Sequence, residues 1–200
     1  MDESVLKAIA KWPDVPDVFN WLGLDRRGNW LLRNDPIRNT VITGFIGRNY
    51  LADKNGRWFF QNGPQRVFVT LEYAPFVVHT SRSGDDAMLV TQTGTVINRL
   101  AGACMDEYGS ILVEWASGVG LVCDRDLSQV VMWLTDAAGN PVSDAVLETA
   151  VASSARGETP GLWLDYRSHR VPVQSIHLRD IPETFGFVAC PQPAPGQAEC

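Results

Sequence analysis

Apolar and polar positions alternate most regularly between Arg57 and Glu72, and this period of two predicts two strands, Arg57–Gln61 and Arg66–Glu72. The loop between them, Asn62-Gly63-Pro64-Gln65, is short enough to make the strands antiparallel neighbours. That register sets Gln61 opposite Arg66, Phe60 opposite Val67, Phe59 opposite Phe68 and Trp58 opposite Val69. One face, with Trp58, Phe60, Val67, Val69 and Leu71, then reads as core. The other carries Arg57, Phe59, Gln61, Arg66, Phe68, Thr70 and Glu72, an aromatic pair framed by two arginines.

A period near 3.6 appears in three places. Val5, Leu6, Ile9 and Trp12 predict an amphipathic helix over 2–12 that Pro13 stops, and Val142–Ser154 predicts another with Ser143 as its cap. Between them, Asp35-Pro36 resembles an N-cap followed by proline at the first helical position, and Ile37, Val41, Ile42, Phe45 and Ile46 continue an apolar stripe to Tyr50. This second helix is expected to cover one face of the sheet. Strands are expected at Val18–Leu24, Asn29–Arg33, Phe76–Thr80, Met88–Thr91, Thr95–Leu100, Ser110–Ala116, Val119–Cys123, Leu162–Tyr166 and Val171–Leu178, while Asp124–Leu134 fits either helix or strand.

Asp25-x-x-Gly28, Asp53-x-x-Gly56, Asp106-x-x-Gly109 and Asp136-x-x-Gly139 share one spacing. An Asp whose carboxylate bonds nearby backbone N–H groups, followed at the fourth position by Gly, is hairpin-turn chemistry. A calcium loop would need alternating oxygen ligands and a terminal Glu, which these lack. Together the elements give an α+β chain, mostly antiparallel sheet built from hairpins and meanders, with about three short helices. The segment Ser81–Asp86 suggests a boundary, giving halves at 1–80 and 87–189 and an unstructured proline-rich tail at 190–200.

The chain has 200 residues, 45% hydrophobic and 20% charged, an ordinary globular balance. No basic leader, apolar run and cleavage site follow Met1, and no stretch of about 18 apolar residues occurs, so a cytoplasmic address and no membrane are expected. Cys104, Cys123, Cys190 and Cys200 show neither CxxC nor Cys/His ligand spacing. In the meander, Cys104 falls opposite Ile111 and Cys123 opposite Leu112, so an intervening strand holds their thiols about 9–10 Å apart and unbridged. The net charge of −6 hides an asymmetry: residues 1–100 carry 12 Lys/Arg against 10 Asp/Glu, and 101–200 carry 5 against 13. Within 26–66, Arg26, Arg27, Arg33, Arg38, Arg48, Lys54, Arg57 and Arg66 face only Asp35 and Asp53.

Catalytic constellations are sparse. Cys104 or Cys123 with His79, His169 or His177 could form a nucleophile and base, but each cysteine sits in an apolar strand where inert thiols are normal. Asp124-Arg125-Asp126 could hold a divalent cation, though capping and a salt bridge explain it as simply. Gly118-Val119-Gly120 begins like a dinucleotide fingerprint, but Cys123 stands where the third small residue belongs. The candidate working face is therefore Arg57, Phe59, Gln61, Arg66 and Phe68, since guanidinium forks suit anions and aromatic faces suit flat ligands. The packing alternative puts Phe59 and Phe68 under the second helix, with the arginines paired to the acidic C-terminal half.

The stretches KWPDVP (11–16), WLGLDRRGNW (21–30), GFIGRNYLADKNGRWFFQNGPQRVFVTLE (44–72) and FGFV (185–188) resemble a family of bacterial proteins of about this length, known only as proteins of unknown function. The resemblance implies a soluble bacterial protein and assigns no activity. The residues themselves point to a non-catalytic binding or interaction protein without a cofactor, whose partner is a protein or a small anionic ligand and not nucleic acid. The competing expectation is a small metal-dependent enzyme using acidic groups around Asp124 and Asp126. An open Arg57/Phe59/Arg66/Phe68 face would favour the first, and a pocket joining both aspartates to a histidine the second.

Overall fold

The computed structural model describes residues 1–12, 15–83 and 86–193. The chain divides into two units, Met1–Pro75 with Gly186–Cys200, and Phe76–Phe185. The expected boundary at Ser81–Asp86 falls instead inside a hairpin, because Ser81 pairs with Met88 and Arg82 with Ala87. Positions 84–85 and, in the expected tail, 194–200 lie outside the described residues.

The first unit contains α1 (Glu3–Lys11), β1 (Val18–Leu24), β2 (Trp30–Leu32), β3 (Asp35–Pro36), α2 (Thr40–Arg48), β4 (Tyr50–Ala52), β5 (Trp58–Asn62) and β6 (Gln65–Leu71). Its sheet runs β3-β2-β1-β6-β5-β4. The hairpin register is as the alternation requires, with Phe59 opposite Phe68, Phe60 opposite Val67 and Gln61 opposite Arg66. Asn62 also pairs with Gln65, so the turn proper is Gly63-Pro64, and Gly63 takes the positive φ of +57° that a two-residue connection needs. Trp58 is half-buried against Tyr50 at 4.8 Å, while Phe59 and Phe68 are interior.

Asp35-Pro36 does not start α2. Arg33 and Asn34, at φ +50° and +73°, make a tight turn that returns residues 35–36 onto β2, so the helix begins only after Asn39. The Asn39 side chain accepts N–H bonds from Val41 (3.0 Å) and Ile42 (3.2 Å), satisfying two orphan donors of the first turn. The sheet is also mixed: β1 lies parallel to β6, with a register shift between Val18 and Leu22. Asn20, at φ +61°, sits in that irregularity and turns the strand locally.

The second unit contains β7 (Phe76–Ser83), β8 (Asp86–Thr91), β9 (Val96–Ile97), β10 (Gly102–Met105), β11 (Ile111–Trp115), β12 (Gly118–Val122), α3 (Leu127–Val131), β13 (Leu134–Thr135), α4 (Asp144–Ala155), β14 (Trp163–Tyr166), β15 (His169–Ser175), a 3-10 turn (Leu178–Asp180) and α5 (Ile181–Thr184). Its strands run β13-β14-β15-β10-β11-β12-β7-β8-β9, with β10·β15 and β12·β7 parallel. The class is α+β, with mixed sheets and five α-helices among the described residues in place of about three. The two extra helices, α3 and α5, have five and four residues, too short to show a helical period. No helix among the described residues is long and apolar enough to cross a membrane.

The core of this unit gathers Val78, Leu89, Ile97, Met105, Val113, Leu134, Leu164 and Val173. Buried Tyr166 ties its edge together, donating to Ile97 O at 2.7 Å and accepting from Leu89 N at 2.9 Å. The Gly118-Val119-Gly120 run is a packing device here: a Cβ at Gly120 would lie 2.7 Å from Val78 Cγ2, and one at Gly118 2.8 Å from the Phe76 ring.

All four Asp-x-x-Gly segments adopt one turn. In each, the Asp Oδ1 accepts backbone N–H bonds, at 2.7–3.0 Å, from the residues two and four positions on, and the Gly has φ between +73° and +88°. Thr91-Gln92-Thr93-Gly94 is a fifth copy in which Thr91 Oγ1 accepts from Thr95 N at 3.0 Å. At Gly56 the C-terminal segment closes over the turn, Val188 N donating to Gly56 O at 2.9 Å and Leu71 N to Ala189 O at 2.7 Å. A Cβ there would lie 2.2 Å from Gly186 O.

Candidate functional site

Of the five residues singled out on the mixed face of the hairpin, Phe59, Gln61 and Phe68 are interior, while Arg57 and Arg66 are half-buried at the edge of the aromatic pair. Phe68 stacks on Phe19 of β1 with centroids 4.6 Å apart and planes at 5°, and Phe59 lies 5.7 Å from Phe68. Phe59, Gln61 and Phe68 are 7%, 5% and 1% exposed. Arg57 lies over the Phe68 ring at 4.6 Å and donates from Nε to Asp53 Oδ2 at 2.8 Å. Arg66 grips the buried Asp17 carboxylate with both arms, Nε to Oδ1 at 2.8 Å and Nη2 to Oδ2 at 2.6 Å.

The aromatics therefore pack against β1 and not under α2, and these arginines are matched by Asp53 and Asp17 of their own unit, as Arg48 is by Asp2 at 3.3 Å. Arg48, Arg57 and Arg66 thus find carboxylates within their own unit, Asp2 ahead of α1, Asp53 in the turn before β5 and Asp17 just ahead of β1. Burial alone would raise the Asp53 pKa. The N–H groups of Arg57 and Asn55 and the Arg57 guanidinium outweigh it and hold the carboxyl below its usual value.

The opposite face of the same hairpin is covered only in part by α2. Phe45 of α2 meets Phe60 edge-on at 5.5 Å, but α2 buries only Ile46, leaving Ile42 48% exposed. Beside it opens a cleft of about 390 Å³. Its floor is Val18, Leu22, Phe60 and Val67 from three adjacent strands, with Ile42 and Ile46 as one wall. Trp21, Leu32 and Ile37 complete the apolar lining, and the amides Asn62 and Gln65 are its two polar side chains. The Trp21 ring reaches the cleft next to the strand irregularity at Asn20, and the Arg33 guanidinium lies over that ring at 3.8 Å. Strand alternation assigns Phe60 and Val67 to a core, and helical spacing assigns Ile37, Ile42 and Ile46 to the stripe that covers it; only the incomplete coverage by α2 leaves a cleft there.

Residues 1–192 match the model of the family described as "Protein of unknown function (DUF2946)". The chain belongs to this family. No curated protein matches it. Among solved structures, this family member is similar to a DUF1285 family protein from Silicibacter pomeroyi DSS-3, at 14% identity and a TM-score of 0.51, covering 88% of this chain and 97% of the other. A DUF1285 family protein from Shewanella baltica OS155 aligns at 14% identity and a TM-score of 0.36, over 57% of this chain and 92% of the other. The first likeness is one of fold.

In this DUF2946 family chain the cysteine candidates are unpromising as free nucleophiles. Cys104 and Cys123 are free thiols separated by β11, and Cys104 pairs with Leu112, one residue beyond the expected Ile111. Burial, then the Glu114 carboxylate, pushes the Cys104 pKa up to about 11, and burial raises that of Cys123. His177 faces Glu107 at 3.9 Å, and His169 Nδ1 lies 3.4 Å from Ser168 Oγ. Asp126 precedes α3 but makes no capping bond; it accepts from Thr80 Oγ1 at 2.6 Å and from His79 Nδ1 at 3.1 Å.

Proposed function

We propose that this DUF2946 family protein is a non-catalytic binding protein whose ligand is small, apolar along most of its length and anionic at one end. The observation that carries this reading is the cleft of about 390 Å³ beside α2. That volume falls within the range of small-molecule sites, roughly 300–1,000 Å³, which are mostly apolar with a few polar groups to set orientation. Trp21 and Leu32 stand 41% and 49% exposed at its lining, apolar surface that a ligand would remove from water. Arg33, exposed and stacked on Trp21, supplies the cation for the ligand's charged end. The Arg57, Phe59, Gln61, Arg66 and Phe68 cluster supports the cleft from behind, locking the strands that form its floor.

Decanoate, decanol and decyltrimethylammonium form a suitable probe set in titration calorimetry. We expect saturable binding of one decanoate per chain, weakened about tenfold by Arg33→Gln, equivalent to ~1.4 kcal/mol. Decanol should be indifferent to that change, the cation should bind worst, and Ile42→Trp should fill the cleft and block all three. Absence of saturable binding, or binding unaffected by Ile42→Trp in a protein with an unchanged melting temperature, would overturn the proposal.

A further inference from the structure

The parallel pairing of β12 with β7 sets Val122 beside Val78, and Cys123 N donates to Val78 O at 2.9 Å. The next residues along the two strands, Cys123 and His79, are thereby brought together. The chain then turns into α3, Asp126 N bonding to Cys123 O at 2.9 Å, and the Asp126 carboxylate swings back over His79. One nitrogen, one sulfur and one carboxylate oxygen from His79, Cys123 and Asp126 all lie within 4.8 Å of one another.

We infer that His79, Cys123 and Asp126 form a binding site for a divalent transition ion of the zinc type, with a fourth position open to water. The donor set suits a borderline-soft ion and not a hard one: magnesium and calcium take oxygen ligands, whereas zinc accepts thiolate, imidazole and carboxylate together. The geometry fits as well. Around a tetrahedral ion with ligand distances of about 2.0–2.3 Å, the donor atoms stand roughly 3.3–3.8 Å apart. His79 Nδ1 and Asp126 Oδ2 are already 3.1 Å apart, so an ion replacing the shared proton needs only small side-chain movements.

Thr80 Oγ1 donates to Asp126 Oδ1 at 2.6 Å, which occupies one carboxylate oxygen and leaves Oδ2 directed at His79. Such an outer hydrogen bond is what orients a metal-binding carboxylate. Cys123 is buried behind the site, while His79 and Asp126 are 36% and 19% exposed, so an ion and its water enter from the solvent side. Three protein ligands leave a fourth position for water or an exogenous ligand, in contrast to closed four-ligand structural sites. The inference revises the Asp124/Asp126 expectation: the partners of Asp126 are His79 and Cys123, and Asp124 Oδ1 stands 3.5 Å from the Cys123 sulfur as an outer neighbour. It does not depend on the cleft of the first unit.

The test uses the full chain, stripped with chelator and titrated with Zn²⁺ and Co²⁺. One Zn²⁺ per chain is expected, and Co²⁺ should give tetrahedral d–d bands in the visible and a thiolate-to-cobalt charge-transfer band in the near ultraviolet. Cys123→Ser should remove the charge-transfer band and Cys104→Ser should leave it. Asp126→Asn and His79→Ala should each weaken Zn²⁺ binding by more than about 100-fold, beyond the 10–100-fold typical of outer-shell changes. Because Cys123 is buried, its variant is checked by melting temperature, and Asp126→Asn, at a more accessible position, carries the test should Cys123→Ser fail to fold. No stoichiometric ion, a charge-transfer band that follows Cys104, or equal affinity in Asp126→Asn and wild type would each overturn the site.

Discussion

Single residues in this chain act through the backbone as much as through contacts. The Asp-x-x-Gly turn puts one carboxylate oxygen on two N–H groups, and its glycine then adopts a left-handed conformation that costs an L side chain on the order of 1 kcal/mol. Gly56 and Gly94 separate two consequences of that choice. Both have positive φ, +73° and +84°, but a Cβ at Gly56 meets Gly186 O at 2.2 Å whereas Gly94 has nothing within 4 Å. Gly94→Ala should therefore lower stability by about 1 kcal/mol, and Gly56→Ala by clearly more, since the C-terminal strap must also lift. Chemical denaturation of the two variants checks this; equal losses would show that the strap does not hold Gly56.

At the scale of elements, the β5–β6 hairpin is a partition with different material on each side. Phe68, 1% exposed, is sandwiched among Phe19, Phe59 and the Arg57 guanidinium, while Trp58 is only half-buried beside Tyr50. Burial of a large aromatic in a close-packed cluster makes its truncation cost about 3–5 kcal/mol. Phe68→Ala should therefore come near to unfolding the first unit, and Trp58→Ala should cost less, although alternation alone marks Trp58 as the inside residue. A larger loss for Trp58→Ala in thermal or urea melts would overturn this ranking. The hairpin's register was legible because period two and a short loop leave one pairing. Which face α2 would cover was not, because both faces carry aromatics.

For the whole molecule, charge decides a question that local composition leaves open. Residues 26–66 are rich in arginine, yet Arg48, Arg57 and Arg66 are held by Asp2, Asp53 and Asp17, and the chain carries a net −6. Counterion release needs free cations facing phosphate, so we expect no shift with single-stranded DNA or RNA at physiological salt. A salt-sensitive, sub-micromolar shift abolished by Arg57→Ala with Arg66→Ala, in a protein that stays folded, would refute that. The same distinction between near and distant partners separates what was readable in advance. Strand alternation, the Asp-x-x-Gly turns and the existence of α1, α2 and α4 rest on interactions within a few residues, so the sequence by itself determined them. The parallel pairings β1·β6 and β7·β12 join strands that are not neighbours in the chain, and the His79–Asp126 contact spans 47 residues. No periodicity encodes such partners, because alternation states which side chains share a face and leaves open what that face will meet. Tertiary structure alone decided that Phe19 would close over Phe68, that α2 would leave a cleft, and that a histidine, a cysteine and an aspartate from separate segments would converge.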